Sequence, residues 1–229
     1  KKVPTNNIRI NNPIMGIFSC RANTTDFMYA FFSYENKIKS KIKSSIDEFD
    51  TFFDIGACIG DYSIWLAKNN LKCFAFEPNK DNYNSLINNI ELNNLEESIE
   101  TFNYGLGKNT EKVFFGTNIT NRGYSSKYAN FKEGFKEEVE IRTFDEIFES
   151  MGISYNQAII IKIDAEGMEA EIIEGAMKSF SKIRKIFLIF ESHTGADKIL
   201  RKLREITPYQ LIELDTLNMG VIINNTNNV

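Results

Sequence analysis

Apolar and polar segments alternate along most of this chain of 229 residues. From residue 51 onwards, apolar runs of strand length are followed by polar turns and by stretches with helical spacing, which predicts alternating strands and helices. We expect strands at 51–55, 72–77, 99–104, 158–164, 184–191, 209–214 and 219–223, and helices at 60–69, 79–93, 168–179 and 195–206. This order is typical of an α/β fold, in which helices cover both faces of a parallel sheet.

The last two predicted strands are joined differently from the others. Only Asp215–Asn218 separates them. That is too short for a crossover helix, so these strands should form an antiparallel hairpin. The fold class that follows is a doubly wound, mostly parallel seven-stranded sheet with a C-terminal antiparallel hairpin strand.

The N-terminal part of the chain does not follow the alternation. Residues 1–50 read as Asn-rich loops that precede a helical stretch at 35–46. We therefore divide the chain into an N-terminal extension on the substrate side, 1–50, and a main domain, 51–229.

A second departure lies in the middle of the chain. Extra strands are expected at 111–115 and 139–142, on either side of a polar stretch that includes Arg122, Tyr124 and Ser125. An excursion this long is often a lid or a binding loop. A solvated surface loop explains the same residues, and the sequence leaves both interpretations open.

Composition narrows the classes of protein that fit. The net charge of −4, with acids and bases interleaved, provides no basic stripe for nucleic acid, so we expect no nucleic-acid partner. No apolar run approaches ~18–20 residues, so no transmembrane segment is expected, and the first residues lack the apolar region of a signal peptide. Cys20, Cys58 and Cys73 favour reduced thiols in a cytoplasmic protein. The sequence leaves the oligomeric state open.

The most specific motif is a glycine-rich turn after the first predicted strand. The apolar run of that strand reaches Asp54, and Gly56 and Gly60 follow before a helical stretch. Glycine lets the backbone approach a bound molecule where a side chain would block it. The next strand ends in Glu77, and an acid at this position commonly binds the ribose hydroxyls of a nucleoside cofactor.

The glycine spacing favours one cofactor over another. A dinucleotide fold needs a third glycine three residues after the second, but Ser63 stands there. S-adenosyl-L-methionine carries no phosphate, so it does not need a helix N-terminus devoted to pyrophosphate. An ordinary strand-to-helix turn, with glycines for geometry alone, is the alternative interpretation of the glycines.

Polar residues follow five of the predicted strands and should meet at one edge of the sheet. In parallel sheets, ligands bind beyond the carboxyl ends of the strands. That rule selects Asp54–Gly56, Glu77–Asn79 (with Pro78), Asn103–Gly105 (with Tyr104), Asp164–Gly167 and Glu191–His193. Five polar ends in equivalent positions predict one shared site.

Three of these residues are candidates for the chemistry itself. Asp164 should emerge beside the cofactor, where its carboxylate could hold the cofactor's ammonium group or orient a substrate hydroxyl. His193 is the single histidine and a candidate general base, with Glu191 orienting it or binding substrate hydroxyls. We expect no metal, although Asp164, Glu166 and Glu169 could ligate a divalent cation through hard oxygens. Helix capping explains Glu169 almost as well.

An ordered set of motifs resembles the FkbM family of S-adenosylmethionine-dependent methyltransferases. The set runs from about residue 50 to about 195 and comprises Asp54–Ser63, Phe76–Asn79, Asn88–Asn93, Arg142–Glu146, Ile161–Glu169, Gly175–Ala176 and Glu191–His193. Cys58 stands where this family commonly has Asn, and Ala165 where Val is common. Met168 stands where His or an aromatic residue is common, so no role of a histidine there carries over.

The resemblance implies a class I methyltransferase fold, which is Rossmann-like, and transfer of a methyl group to a hydroxyl of a saccharide, glycoconjugate or other hydroxylated small molecule. Asp54, Gly56 and Gly60 would line the methionine side of S-adenosyl-L-methionine, Glu77 would bind the ribose, and Asn103 would lie near the adenine. The cofactor-binding set is completed by Ala57, Cys58, Ser63, Pro78, Asn79, Tyr104 and Asp164, the last beside the reactive methyl.

Three other classes of protein compete with this interpretation. An amino-group methyltransferase would more often carry an Asn/Asp-Pro-Pro-aromatic run at the fourth strand, where this chain has Asp164–Gly167. An NAD-dependent oxidoreductase shares the strand, the turn and the acid, although its glycine spacing differs. A non-catalytic binding module would keep the pocket without turnover.

Overall fold

The computed structural model describes residues 3–118, 125–126, 134–191 and 196–225. Its strands are β1 (Ile8–Asn12), β2 (Gly16–Cys20), β3 (Thr51–Ile55), β4 (Lys72–Phe76), β5 (Ile99–Phe102), β6 (Gly105–Leu106), β7 (Glu111–Asn118), β8 (Ser125–Ser126), β9 (Gly134–Arg142), β10 (Ala158–Ile163), β11 (Lys185–Glu191), β12 (Tyr209–Glu213) and β13 (Asn218–Asn224). Its helices are α1 (Asp26–Tyr29), α2 (Asn36–Lys43), α3 (Asp61–Ala67), α4 (Lys80–Leu92), α5 (Phe144–Ser150), α6 (Glu169–Glu174), α7 (Met177–Lys182) and α8 (Ala196–Ile206).

The central sheet has seven strands in the order β12-β13-β11-β10-β3-β4-β5. The pairs from β11 to β5 are parallel, whereas β13 runs antiparallel to both β11 and β12. The predicted hairpin is therefore confirmed, and its second strand is inserted inside the sheet rather than added at the edge.

The two central strands are buried along their whole length, which explains their nearly continuous apolar sequences. Every residue of β3 and of β10 is buried, as expected for parallel strands with helices on both faces. Alternate residues enter different core layers. Phe53 packs against Phe144 and Phe148, while Phe52 lies in the layer that contains Trp65.

The mid-chain excursion forms a second, four-stranded sheet in the order β6-β9-β7-β8. The two extra strands were predicted correctly but too short, because β7 and β9 pair over eight residues each, up to Asn118 and Gly134. Ser125 lies in β8, whereas Arg122 and Tyr124 are outside the described residues. The choice between a lid and a surface loop is therefore still open.

The N-terminal segment is more regular than the sequence indicated. Residues expected to be loops form the antiparallel hairpin β1–β2, which docks on α4 through two asparagines. Asn93 accepts the N–H of Ile17 at 2.9 Å and donates to its carbonyl at 2.8 Å. Asn89 accepts the N–H of Ser19 at 2.8 Å. Met15 and Phe18 of this segment are fully buried in the core layer of Trp65.

Two helices differ from the prediction. The helix expected at 168–179 is divided into α6 and α7. Gly175 lies at the break, where a Cβ would meet the carbonyl oxygen of Gly107 at 2.0 Å. Helix α5 was not expected, yet Thr143 and Glu146 begin it with a capping box. None of the helices in the described part of the chain has the length and apolar character needed to traverse a bilayer.

Candidate active site

The carboxyl ends of β3, β10 and β11 open into one cavity of about 290 Å³. Six of the expected site residues line it: Asp54, Gly56, Ala57, Cys58, Asp164 and Glu191. Glu166, considered above as a metal ligand, also lines the cavity. Residues that the sequence did not single out complete the wall, and they come mainly from the N-terminal segment and α3: Tyr29, Tyr34, Glu35, Asp61 and Tyr62, together with Lys162. The prediction of one shared site at this edge therefore agrees with the geometry for β3, β10 and β11.

Gly56 allows β3 and β10 to approach each other at the cavity floor. Its φ is +87°, and a Cβ there would meet the carbonyl oxygen of Asp164 at 2.0 Å. The N–H of Asp164 in turn donates to the carbonyl of Ile55 at 2.9 Å. A side chain at this position would push the two strand ends apart, so the geometry alone requires glycine.

Asp54 is fixed beneath the cavity by Ser63. The Ser63 hydroxyl donates to a carboxylate oxygen of Asp54 at 2.6 Å, and both side chains are buried. Burial raises the pKa of Asp54 to about 7, although the ammonium of Lys162 and the hydrogen bond from Ser63 act in the opposite direction. Ser63 itself does not line the cavity, so it positions Asp54.

The turn between the glycines is tied to the end of the next strand. Cys58 has a φ of +48° and donates its N–H to Glu77 at 2.8 Å. The N–H of Asn79 donates to the other carboxylate oxygen of Glu77, also at 2.8 Å. Burial raises the pKa of Glu77 to about 7 despite these bonds. Asparagine tolerates positive φ better than most residues, which accounts for the family's common choice at position 58.

The remaining expected cofactor residues surround Glu77 and do not line the cavity. Asn103 donates to the carbonyls of Glu77 and Pro78 at 3.0 and 3.2 Å. Asn79 caps α4 by accepting the N–H of Asn82. The guanidinium of Arg142 lies 4.4 Å from the ring centroid of Tyr104.

Gly60 has a packing role at the start of α3. Its φ is +86°, and a Cβ there would meet a methyl group of Leu86 at 2.5 Å. Glycine at this position therefore lets α3 begin directly above α4.

Asp164 also belongs to a cluster of three carboxylates in the cavity wall. Oxygens of Asp164, Glu166 and Glu191 lie within 4.8 Å of one another. Burial, followed by the charges of Asp164 and Glu191, raises the pKa of Glu166 to about 8. Glu169 is not part of this group, because it accepts the N–H groups of Ala165 and Gly167 at 3.2 and 3.1 Å. These two N–H groups precede α6, so Glu169 orders the turn before the helix. The expectation of a metal-free site stays a prediction.

Lys162 is the main site residue that the sequence analysis missed. Its ammonium donates to Asp164 at 2.7 Å and is almost fully buried. Burial alone would lower the pKa of Lys162, but the carboxylates of Asp164 and Glu35 outweigh it and hold that pKa well above its usual value. A lysine inside an otherwise apolar strand, two residues before an acid, was the available signal.

The structure describes Glu191 but not His193, the candidate general base. Glu191 is the last residue of β11 and lines the cavity. His193 lies outside the described residues, so its role as a base stays a prediction.

Comparison with known proteins decides the family. The sequence matches the family model described as "Methyltransferase FkbM domain" over residues 54–212, which is more than half of the chain. The chain belongs to the FkbM methyltransferase family. The match begins at Asp54, the penultimate residue of β3, and the resemblance to the FkbM family is confirmed.

Relatives of this FkbM chain are distant. Hexuronic acid methyltransferase AglP from Haloferax volcanii is 27% identical over 153 residues, which are 66% of this chain and 59% of that protein. The chain therefore spans less than two thirds of the length of this curated relative.

Solved structures share the fold. Methyltransferase FkbM from Methylobacillus flagellatus KT is 18% identical with a TM-score of 0.52, covering 88% of this chain and 56% of that one. The tRNA (uracil-54, C5)-methyltransferase of Pyrococcus abyssi, in complex with S-adenosyl-L-homocysteine, is 12% identical with a TM-score of 0.50, covering 95% and 44%. The class I methyltransferase fold is confirmed, and S-adenosyl-L-methionine is the cofactor that this family and fold imply, as expected from the sequence.

Proposed function

We propose that this FkbM chain is an S-adenosyl-L-methionine-dependent O-methyltransferase whose acceptor is a hydroxyl of a saccharide, a glycoconjugate or another hydroxylated small molecule. The observation that carries the proposal is the meeting of Asp54, Gly56, Asp164 and Glu191 in one cavity at the sheet edge where α/β folds bind ligands. These residues belong to motifs of the family to which the chain belongs.

The two halves of the cofactor would lie on different parts of this edge. The methionyl half would occupy the cavity beside Gly56–Cys58, where the backbone comes closest to a ligand. The adenosine would lie toward Glu77 and Asn103. The carboxylate of Glu77 accepts the N–H groups of Cys58 and Asn79 and a hydrogen bond from the Asn82 side chain, which is fewer than the four or so acceptor sites of a carboxylate. Glu77 could therefore accept hydrogen bonds from the ribose hydroxyls.

The residues around Asp164 would position the acceptor. When bound, S-adenosyl-L-methionine supplies a methyl group on sulfur that is already activated, so orientation of the acceptor oxygen provides most of the catalysis. Lys162 holds the carboxylate of Asp164 at the cavity wall, where it can orient a hydroxyl. The proton of that hydroxyl would pass to His193 or Asp164, and Glu191 would orient His193 or bind the acceptor.

A saccharide acceptor is supported by the name of the relative AglP, which is a hexuronic acid methyltransferase. The structural similarity to a tRNA methyltransferase, at 12% identity, concerns the fold. The expectation that nucleic acid is not a partner rests on the charge pattern and stays a prediction.

The test is transfer of labelled methyl from S-adenosyl-L-methionine to a panel of neutral sugars, hexuronic acids, amino sugars, glycan fractions and RNA. We expect labelled saccharide with the wild-type protein and none with Asp164→Ala. Calorimetry with S-adenosyl-L-homocysteine and NAD accompanies the panel. Binding of NAD alone would support an oxidoreductase and exclude the proposal, and binding of S-adenosyl-L-homocysteine without turnover on any acceptor would indicate a binding module.

A further inference from the structure

Glu35 is a cavity residue that the family match does not include. It lies before residue 54, where the match begins, yet its side chain lines the cavity together with Gly56 and Asp164. Its backbone is left-handed, with a φ of 51° and a ψ of 40°. Non-glycine residues adopt this conformation rarely, and such strain is concentrated at functional sites.

The cations nearest to Glu35 are engaged by other groups. Lys39 is fully buried and donates to Asp61 at 3.4 Å and to the carbonyl of Tyr34 at 2.9 Å. Lys162 donates to Asp164 at 2.7 Å. Glu35 accepts a hydrogen bond from the Tyr62 hydroxyl at 2.8 Å, and it forms no salt bridge within the part of the chain that the structure describes.

A half-buried carboxylate without an ion pair is unfavourable in the absence of a ligand. Burial raises the pKa of Glu35, and neither the nearby charge of Lys162 nor the bond from Tyr62 restores it. A cation that entered the cavity would compensate the lost hydration of this carboxylate. The geometry and the charge of the site therefore call for a cationic group of the ligand near Glu35.

The position of Glu35 selects which group of the ligand this is. Its electrostatic neighbours are Lys162, Asp164 and Asp61, whereas Glu166 interacts with Asp164, Glu191 and Glu169. Glu35 lines the same cavity as Gly56, Ala57 and Cys58, beside which the methionyl half would lie. The expected ribose ligand, Glu77, does not line this cavity, so Glu35 faces the methionyl half.

We propose that Glu35 binds the α-ammonium group of the methionyl half of the cofactor. The inference rests on the proposed function, because it requires an S-adenosyl cofactor. It leaves the carboxylate of Asp164 free for the acceptor hydroxyl, and it makes the N-terminal segment part of the cofactor site.

Two ligands test whether Glu35 contacts the amino acid part of the cofactor. S-adenosyl-L-homocysteine carries the ammonium group, and 5′-methylthioadenosine shares the adenosine and the sulfur but lacks the amino acid. Calorimetry should show that Glu35→Gln binds S-adenosyl-L-homocysteine ~10–100-fold more weakly than the wild type, the effect of losing one hydrogen bond between charged groups. Its affinity for 5′-methylthioadenosine should be unchanged. Glu48→Gln, an exposed change in the same segment, should bind both ligands like the wild type.

Other outcomes overturn the inference. The inference is wrong if Glu35→Gln binds S-adenosyl-L-homocysteine as tightly as the wild type does. This includes the case in which only turnover falls, since Glu35 would then act on the acceptor. An equal loss for both ligands would also overturn the inference, because it indicates a collapsed site. If Glu35→Gln does not fold, Glu35→Asp provides the same comparison, with a smaller loss expected for S-adenosyl-L-homocysteine alone. Failure of the proposed function is distinguishable. An oxidoreductase would bind neither ligand as the wild type, and a binding module would bind S-adenosyl-L-homocysteine without turnover, in which case the comparison of Glu35→Gln with the wild type still tests the contact.

Discussion

Gly56 illustrates how one residue can serve both the fold and the site. Substitution by alanine would combine an unfavourable positive φ with a Cβ 2.0 Å from the carbonyl oxygen of Asp164. We expect Gly56→Ala to lower the free energy of unfolding by roughly 2–5 kcal/mol and to abolish binding of S-adenosyl-L-homocysteine. Chemical denaturation and calorimetry measure the two effects.

Gly152→Ala is the matched control for this substitution. Gly152 also has a positive φ, +63°, but a Cβ there would meet nothing within 4 Å. Only the conformational cost of the positive φ remains. We therefore expect the free energy of unfolding to fall by about 1 kcal/mol and ligand binding to be normal. Equal losses in the two variants would show that the close approach of β3 and β10 is unimportant.

Asp164 and His193 provide the prediction about chemistry. Asp164→Ala should abolish turnover, because it removes the carboxylate that Lys162 holds at the cavity wall. His193→Ala should slow turnover by about 10²–10⁴-fold if the imidazole is the general base. Initial rates at saturating cofactor measure both. Wild-type rates in His193→Ala would exclude that role and leave Asp164 as the candidate base.

The predictability of individual site residues depended on their position in the chain. Asp54, Glu77 and Asp164 end apolar runs, and a polar residue at the end of a run is visible in the sequence. Glu35 was not found, since it stands before a short polar helix and enters the cavity through tertiary packing. Lys162 is visible as a lysine in an apolar strand, but the sequence could not indicate that Asp164 would bind it.

At the scale of elements, the docking of the N-terminal hairpin on α4 rests on side-chain amides. Asn89 is fully buried, accepts the N–H of Ser19, and donates to the carbonyl of Ile59 at 3.0 Å. We expect Asn89→Ala to lower the free energy of unfolding by ~1–3 kcal/mol, because two backbone groups lose their partner. Denaturant unfolding measures this loss, and amide hydrogen exchange at Ser19 should accelerate.

Asn88 provides the control on the same helix. Its side chain is exposed, so Asn88→Ala should change the free energy of unfolding by less than about 0.5 kcal/mol. If both variants unfold alike, the hairpin is held by its apolar contacts and not by the asparagines.

Strands with consecutive apolar residues were predicted, whereas the two N-terminal strands were not, for a physical reason. β3 and β10 are buried on both faces, so their apolar residues are consecutive and easily recognised. β1 and β2 have five residues each and gain their stability from α4, a partner distant in sequence. Helix α5 was missed although its capping box, Thr143 and Glu146, is a recognisable local signal.

At the scale of the whole molecule, the acids buried around the cofactor edge should make stability depend on pH. Burial raises the pKa values of Asp54 and Glu77 to about 7 and that of Glu166 to about 8. Between the unfolded values near 4 and these folded values, the folded state binds more protons than the unfolded state, so stability falls as pH rises. We expect the melting temperature of the ligand-free protein to be higher at pH 5 than at pH 8.

Two variants test which groups cause the melting temperature to change with pH. Glu77→Gln removes one of the three groups, so its melting temperature should vary less between pH 5 and pH 8. Glu48 is exposed, and its bond with Lys185 lowers its pKa, so it titrates below this range. Glu48→Gln should therefore retain the wild-type slope, and a melting temperature that rises with pH in the wild type would contradict the explanation.

The mostly parallel sheet was predictable, because alternation of strands and helices along the chain determines parallel pairing. The insertion of β13 between β11 and β12 was not predictable. The hairpin prediction required only a short connection, Asp215–Asn218. Which of its two strands lies against β11 depends on tertiary packing, and β13 takes that place.

The placement of β13 also has a consequence for the order in which the molecule is built. β12 precedes β13 in the chain, but among the described strands it pairs with β13 alone. A growing chain that has reached residue 217 therefore has no neighbour for β12 and leaves one edge of β11 unpaired. We therefore expect β12 and β13 to join the sheet only after residues 218–224 have been synthesised.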